Sequence, residues 1–146
     1  LWQWSDGKLL KRLQANAAGS LTWIESVAIS PDGQTLIAGV RDTIKLWDLR
    51  TGTLLRTLLV EQEALYPEMK RVTMTAVSPN GQVIAIGTAS GTFQLWERHT
   101  GKLLRSVRAH NTSINALVFS ANQKTLISGS NDGAIKFWLT DQLLSK

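Results

Sequence analysis

Three side chains toward the end of the chain, Ser128, His110 and Asp132, are the residue types of a nucleophilic triad. In a triad the imidazole takes the serine proton and the carboxylate holds the imidazole in place. That chemistry needs a cleft where these groups converge with a site for the reacting oxygen. No further acid–base set accompanies them in the sequence. The other histidine, His99, stands in Glu97-Arg98-His99-Thr100-Gly101, the composition of a solvated turn. With 2 histidines and 0 cysteines, the chain has no disulfide, no thiolate nucleophile and no ordinary ligand set for structural zinc. No catalytic residue, metal or cofactor is expected.

What must position any such groups is a chain of 146 residues, 43% hydrophobic and 18% charged. That is globular composition, and a chain this long hides roughly 68–70% of its unfolded surface. Lysine and arginine number 16 against 11 acidic residues, a net charge of +5, yet the basic residues are scattered. The apolar runs are too short to span a membrane, and no secretory leader opens the chain. The expected location is cytoplasmic. The first residue is Leu1 rather than methionine, which points to a longer parent polypeptide.

Internal repeats organise the sequence. Ser30-Pro31-Asp32-Gly33 returns as Ser78-Pro79-Asn80-Gly81 and, degraded, as Ser120-Ala121-Asn122-Gln123. An apolar stretch containing glycine follows each, and a pair ending in tryptophan closes it: Leu46-Trp47, Leu95-Trp96, Phe137-Trp138. Leu1-Trp2 opens the chain in the same way, and the four tryptophans recur at intervals of 45, 49 and 42 residues. A third marker follows three of them: Gly7-Lys8-Leu9-Leu10, Gly52-Thr53-Leu54-Leu55, Gly101-Lys102-Leu103-Leu104. Each unit reads as four short strands, in the first unit at residues 27–29, 35–38, 43–47 and 54–58. Proline presets the first turn, and Asp or Asn before Gly tolerates its positive-φ positions. Residues 61–68 read as one short turn, and no stretch sustains a helical period.

Ser-Pro-Asp-Gly, then Ile44-Lys45-Leu46-Trp47-Asp48, then Thr51-Gly52-Thr53-Leu54-Leu55-Arg56-Thr57-Leu58, resembles the WD-repeat β-propeller family. Ser128-Gly129-Ser130-Asn131-Asp132-Gly133-Ala134-Ile135-Lys136-Phe137-Trp138 resembles it as well. The regularity of the units resembles bacterial arrays. The resemblance implies an all-β fold of four-stranded antiparallel blades. It also implies a buried relay in each blade, made of a histidine before the first strand, a Ser or Thr on the second, an Asp in the following turn and the tryptophan. Only the third unit holds all four, as His110, Ser128, Asp132 and Trp138. In the first two units the matching positions are Ser20, Ala38 and Asp42, then Glu68, Ile86 and Ser90, so packing is expected to replace the relay there.

The blades divide the chain into residues 1–14, the end of a preceding blade with its outer strand at 9–13, then 15–58, 59–108, and 109–146, which lacks a clear outer strand. About three blades form a partial propeller, whereas closed propellers have about 4–8. Two apolar blade faces are therefore left open. Either further blades of a longer chain cover them, or copies assemble and two chains close a six-bladed ring.

The family's loop face maps to Trp23 and Glu25, Arg71 and Thr73, Ser113 and Asn115, with Arg41, Ala89 and Asn131 in the turns. Trp23 either anchors a partner or plugs its loop against Ile24 or Tyr66. Lys11, Arg56 and Arg105 fall at one point of the outer strand, where charge guards a sheet edge. They lack the interleaved aromatics of a nucleic-acid groove, so nucleic acid and membrane are not the expected partners. The reading is a non-catalytic scaffold for a protein or peptide, with the sensor or autoinhibitory arm of a larger bacterial signalling protein as the alternative.

Overall fold

The Ser-Pro-Asp-Gly turns are built by their own side chains. In the computed structural model, which describes residues 1, 3, 5–15, 22–60 and 67–145, Ser30 Oγ accepts the Thr35 N–H at 2.9 Å and Asp32 Oδ1 accepts that of Gln34 at 3.0 Å. Ser78 with Asn80, and Ser120 with Asn122, make the same pair of bonds to Val83 and Gln82 and to Thr125 and Lys124. The third turn keeps this geometry although Gln123, at φ 63°, replaces the glycine. Serine and asparagine carry the turn, and glycine only removes the strain of the left-handed residue.

Each turn joins two strands of an antiparallel sheet. The first sheet comprises β1 (Ile24–Ile29), β2 (Thr35–Val40), β3 (Thr43–Asp48) and β4 (Leu54–Leu59), in that order. The second comprises β5 (Val72–Val77), β6 (Val83–Thr88), β7 (Thr92–Glu97) and β8 (Leu103–Arg108). The third has three strands, β9 (Ile114–Phe119), β10 (Thr125–Ser130) and β11 (Ile135–Leu139), and runs straight into a short helix, α1 (Thr140–Leu144). Strand β1 starts three residues before the sequence suggests: Ile24 pairs with Val40 and Ser26 with Gly39, and Glu25 stands between them as a bulge. Pro67–Lys70 forms a 3₁₀ turn, and the rest of that loop lies outside the described residues. Near the N-terminus Leu9 makes an isolated bridge rather than a strand, and among the described residues, residues 1 and 3 supply backbone partners to residues 8, 10 and 11.

The sheets stack face to face, with β1, β5 and β9 side by side at one edge. Alternation along each strand sends one set of side chains to each neighbour. Ile37, Ile44 and Leu46 of the first sheet meet Val72, Ile84, Ile86 and Trp96 around the second. Phe93 and Leu95 of the second meet Ile114, Leu117 and Leu126 of the third, with Trp138 edge-on to Phe93 at 5.1 Å and 70°. The joints need glycine on one side. A Cβ on Gly39 would stand 2.5 Å from Val72 Cγ1, and one on Gly87 2.7 Å from Ile114 Cγ2. This is a partial β-propeller of antiparallel sheets, and no helix among the described residues is long and apolar enough to cross a membrane.

Candidate interaction face

In the third blade, His110 Nδ1 lies 3.0 Å from Asp132 Oδ2, His110 Nε2 lies 2.8 Å from Ser128 Oγ, and Trp138 Nε1 donates to Ser128 Oγ at 2.9 Å. The direction of the chain follows from what each group can do. An ionised carboxylate only accepts, so Nδ1 carries the hydrogen; indole only donates, so the Ser128 hydrogen is free to go to Nε2. Ser128 and His110 are buried, while Asp132 stands at the surface end of the relay with its side chain 16% exposed. Desolvation pushes the Asp132 carboxyl up, but the backbone N–H groups of Ala134 and Asn111, together with His110, outweigh it and hold the carboxyl below its usual 3.8. The triad chemistry has no room here. Ser128 Oγ is enclosed between an indole and an imidazole, and a reacting carbon has no approach.

The second blade departs from the expectation that packing alone replaces the relay. Trp96 Nε1 donates to Gln94 Oε1 at 3.2 Å, so a buried glutamine on the same strand serves the indole. In the turn where the third blade has Asp132, the buried hydroxyls of Thr88, Ser90 and Thr92 bond one another at 2.8 and 3.1 Å. In the first blade Trp47 packs with Ala38, Val40, Leu13 and Ala15; Ser20 lies outside the described residues.

On the loop face, Arg71 pairs with Glu25 at 2.6 Å, Thr73 Oγ1 donates to the Ile114 carbonyl, and Asn115 donates to the Asn131 side chain. Backbone bonds tie the remaining positions to these: Val72 to Arg41, Ala89 to Arg71, and Asn131 to Ser113. Glu25, Arg71 and Ala89 are thus bonded together, as are Ser113, Asn115 and Asn131, while Arg41 and Thr73 bond Val72 and Ile114, the chain neighbours of Arg71 and Ser113. Trp23 stands apart, 74% exposed, beside a half-exposed Ile24. Tyr66, its other suggested neighbour, lies outside the described residues.

Two of the three cations expected to guard an outer edge bond the turn of a neighbouring sheet. Lys11 Nζ donates to the Leu49 and Arg50 carbonyls at 3.2 and 2.7 Å, and Arg56 to those of Thr100 and His99 at 2.8 and 3.1 Å. Each cation latches the turn of the next sheet, and its stem passes over that turn's glycine, Gly52 or Gly101. The sequence could not reveal this, because donor and acceptor stand about 40 residues apart. Arg98 makes another such link, with NH1 on Thr35 Oγ1 at 3.0 Å and NH2 on Asp32 Oδ2 at 3.2 Å. Arg105, at the same point of its strand as Arg56, has no comparable bond among the described residues.

With this geometry in place, the likenesses to known proteins are specific. The family described as Nucleolar protein 10-like, N-terminal domain, matches residues 3–143. WD repeat-containing protein 3 of Mus musculus is 26% identical over 115 residues, 79% of this chain and 11% of that protein. The U3 small nucleolar RNA-associated protein 12 of Saccharomyces cerevisiae is 28% identical over 130 residues, 88% of this chain and 13% of its own length. The crystal structure of RRP9 WD40 repeats superposes with a TM-score of 0.76 at 22% identity, covering 86% of this chain and 38% of that one. The chain thus spans little more than a tenth of the length of these two relatives. They come from mouse and yeast and lend the bacterial setting no support. The expected cytoplasmic location is overturned: the matching family is named for a nucleolar protein, and one relative is associated with a small nucleolar RNA. Composition and the lack of a leader carry no mark that separates cytoplasm from nucleolus, so the sequence misled. Repeats, sheets and family match agree, and the chain belongs to the nucleolar protein 10-like N-terminal domain family of WD-repeat β-propellers.

Proposed function

We propose that the chain is a non-catalytic scaffold that holds a protein partner on the loop face around Trp23, within an RNA–protein assembly. The observation that carries this reading is the 74% exposure of Trp23, which stands just before β1 on the same face as these sheet ends. A large exposed aromatic on a fixed platform is the kind of residue that anchors an interface. Its neighbours support a polypeptide over a phosphate backbone. Arg71 is already neutralised by Glu25, and the asparagines are satisfied by each other, so the row offers little net charge for counterion release. The names of the relatives supply the assembly, since one is associated with a small nucleolar RNA. A wholly buried Ser128 supports a structural, not a chemical, role for the triad-type residues.

A photoreactive amino acid at position 23, with one at exposed Lys102 as control, tests this in cells. Position 23 should give protein adducts several-fold above position 102. Equal yields at the two positions, or adducts at 23 that are RNA, would overturn the reading.

A further inference from the structure

One turn on the loop face holds an arginine where the backbone favours glycine. Val40 pairs with Thr43, so Arg41 and Asp42 make a two-residue hairpin loop between β2 and β3. Arg41 has φ 54°, and Asp42 does not share that left-handed backbone. A two-residue loop with positive φ at its first residue alone is the kind whose first place belongs to glycine. In the equivalent turns of the second and third sheets the left-handed residue is indeed glycine, Gly91 at φ 89° and Gly133 at φ 84°. Of the two non-glycine residues with positive φ among the described residues, Arg41 is the one on the loop face. It holds a backbone strain that glycine would not.

Among the described residues the fold makes no use of this side chain. Val72 N–H donates to the Arg41 carbonyl at 2.6 Å, Val60 N–H to the Asp42 carbonyl at 2.9 Å, and the Thr43 hydroxyl to the Val40 carbonyl at 2.7 Å. A glycine would keep all three bonds. The Arg41 side chain is exposed and has no hydrogen bond or ion pair among the described residues. The other arginine mapped to this face, Arg71, is already paired with Glu25 at 2.6 Å. Ile24 pairs with Val40, which places Trp23 and Arg41 at the same end of one strand pair. The turn stands at the strand ends, not on the flank where a further sheet would stack.

We infer that Arg41 selects a carboxylate of the protein partner, an aspartate or glutamate in an acidic segment whose neighbouring apolar residue lies on Trp23. This rests on the loop-face reading proposed above and gives that partner its chemistry. A guanidinium presents parallel N–H groups that match one carboxylate in a two-bond fork. One cation without a counterion suits one side-chain anion, whereas a phosphate backbone calls for a run of them. Backbone strain of this kind concentrates at ligand clamps, where the side chain rather than the fold requires the residue.

The test is selection from a random-peptide display library on the full chain, with Arg41→Gly, Arg41→Glu and Trp23→Ala as variants and an unfolding midpoint measured for each. Peptides selected by the wild type should carry Asp or Glu beside an apolar residue. Their affinity should fall about tenfold or more on Arg41→Gly, and it should weaken as salt rises. Selection on Arg41→Glu should return Lys or Arg in place of the acid. Arg41→Gly should unfold at a midpoint no lower than wild type, because it relieves strain and removes no bond. Selected peptides without acidic residues, or peptides that need Trp23 but bind Arg41→Gly as well as wild type, would overturn the inference and leave the loop-face reading standing. So would a single-stranded RNA oligonucleotide that depends on Arg41 as strongly as the peptides do. An Arg41→Gly midpoint below wild type would also overturn it, since the guanidinium would then serve an acceptor of the chain itself, such as Glu61 or Glu63. No selected peptide, or peptides indifferent to both Arg41→Gly and Trp23→Ala, would overturn the loop face as a site and the inference with it.

Discussion

Replacing Ser128 with alanine tests whether the third-blade relay is formed. Alanine fits the site sterically, since Ala38 fills the equivalent place in the first sheet and is itself buried. The change therefore removes bonds rather than packing. Two partners lose them: the Trp138 indole N–H and His110 Nε2, at 2.9 and 2.8 Å from the hydroxyl. A buried polar group left unpaired costs about 1–3 kcal/mol. His110 is deeply buried and falls in the upper part of that range, while Trp138 is half-buried and regains some water. The expected loss is about 2–4 kcal/mol, or roughly 6–12 °C in Tm for a chain of this size. Ser130 is the control. Its hydroxyl bonds Thr112 and the Asp132 N–H near the surface, so Ser130→Ala should cost under ~1 kcal/mol. Urea unfolding of the full chain at one fixed concentration measures both, because any association adds to apparent stability. Trp138→Phe combined with Ser128→Ala should cost less than the sum by about 1 kcal/mol, since the two share one bond. A Ser128→Ala loss no larger than that of Ser130→Ala would refute the relay.

Asp132→Ala should lower the unfolding midpoint more than Asp42→Ala, because Asp132 receives His110 and two backbone N–H groups; equal losses would count against the mapping. The folded Asp132 carboxyl lies below its ordinary 3.8, so its contribution is present above that pH and is lost as pH falls through the folded value. Acid unfolding below about pH 3.8 should accordingly be shallower in Asp132→Asn than in wild type. Arg56→Gln should destabilise the chain measurably, while Arg105→Gln should not, since only Arg56 holds turn carbonyls of the next sheet; an edge-guarding role would make the two alike. Gly87→Ala should cost about 1–3 kcal/mol in thermal unfolding, because its Cβ would meet the branched Cβ of Ile114 at 2.9 Å as well as Cγ2.

The fold is legible where the repeat states a local requirement. Ser-Pro-Asp-Gly predicts a turn because its serine and aspartate can bond the backbone two and five residues on, and they do. The third-blade relay is legible because its four members sit at offsets the family shares. Gln94 shows what a motif search misses. It stands between Phe93 and Leu95 and reads as an outward polar residue, yet its face is that of Trp96 two residues on, which is where the indole finds it. That period-two relation was present in the sequence; the need for an acceptor was not stated. The latches of Lys11 and Arg56 were not legible at all, because carbonyl groups carry no residue identity. Trp23 was legible as a residue of interest, but exposure is a property of its surroundings.

The three blades treat the same two places, the tryptophan and the turn after the second strand, in different ways. The third uses His110, Ser128 and Asp132; the second uses Gln94 and a cluster of hydroxyls; the first packs Trp47 beneath Leu13 and Ala15. What does not vary is the joint, a branched aliphatic over a glycine with apolar strands on both sides. A polar relay is all-or-none in that a buried donor left without its acceptor is costly, and the indoles of the second and third blades each have theirs. The apolar joint has no such all-or-none condition, since it is proportional to area removed from water. Identity within a blade is therefore free to drift while the surfaces between blades stay interchangeable.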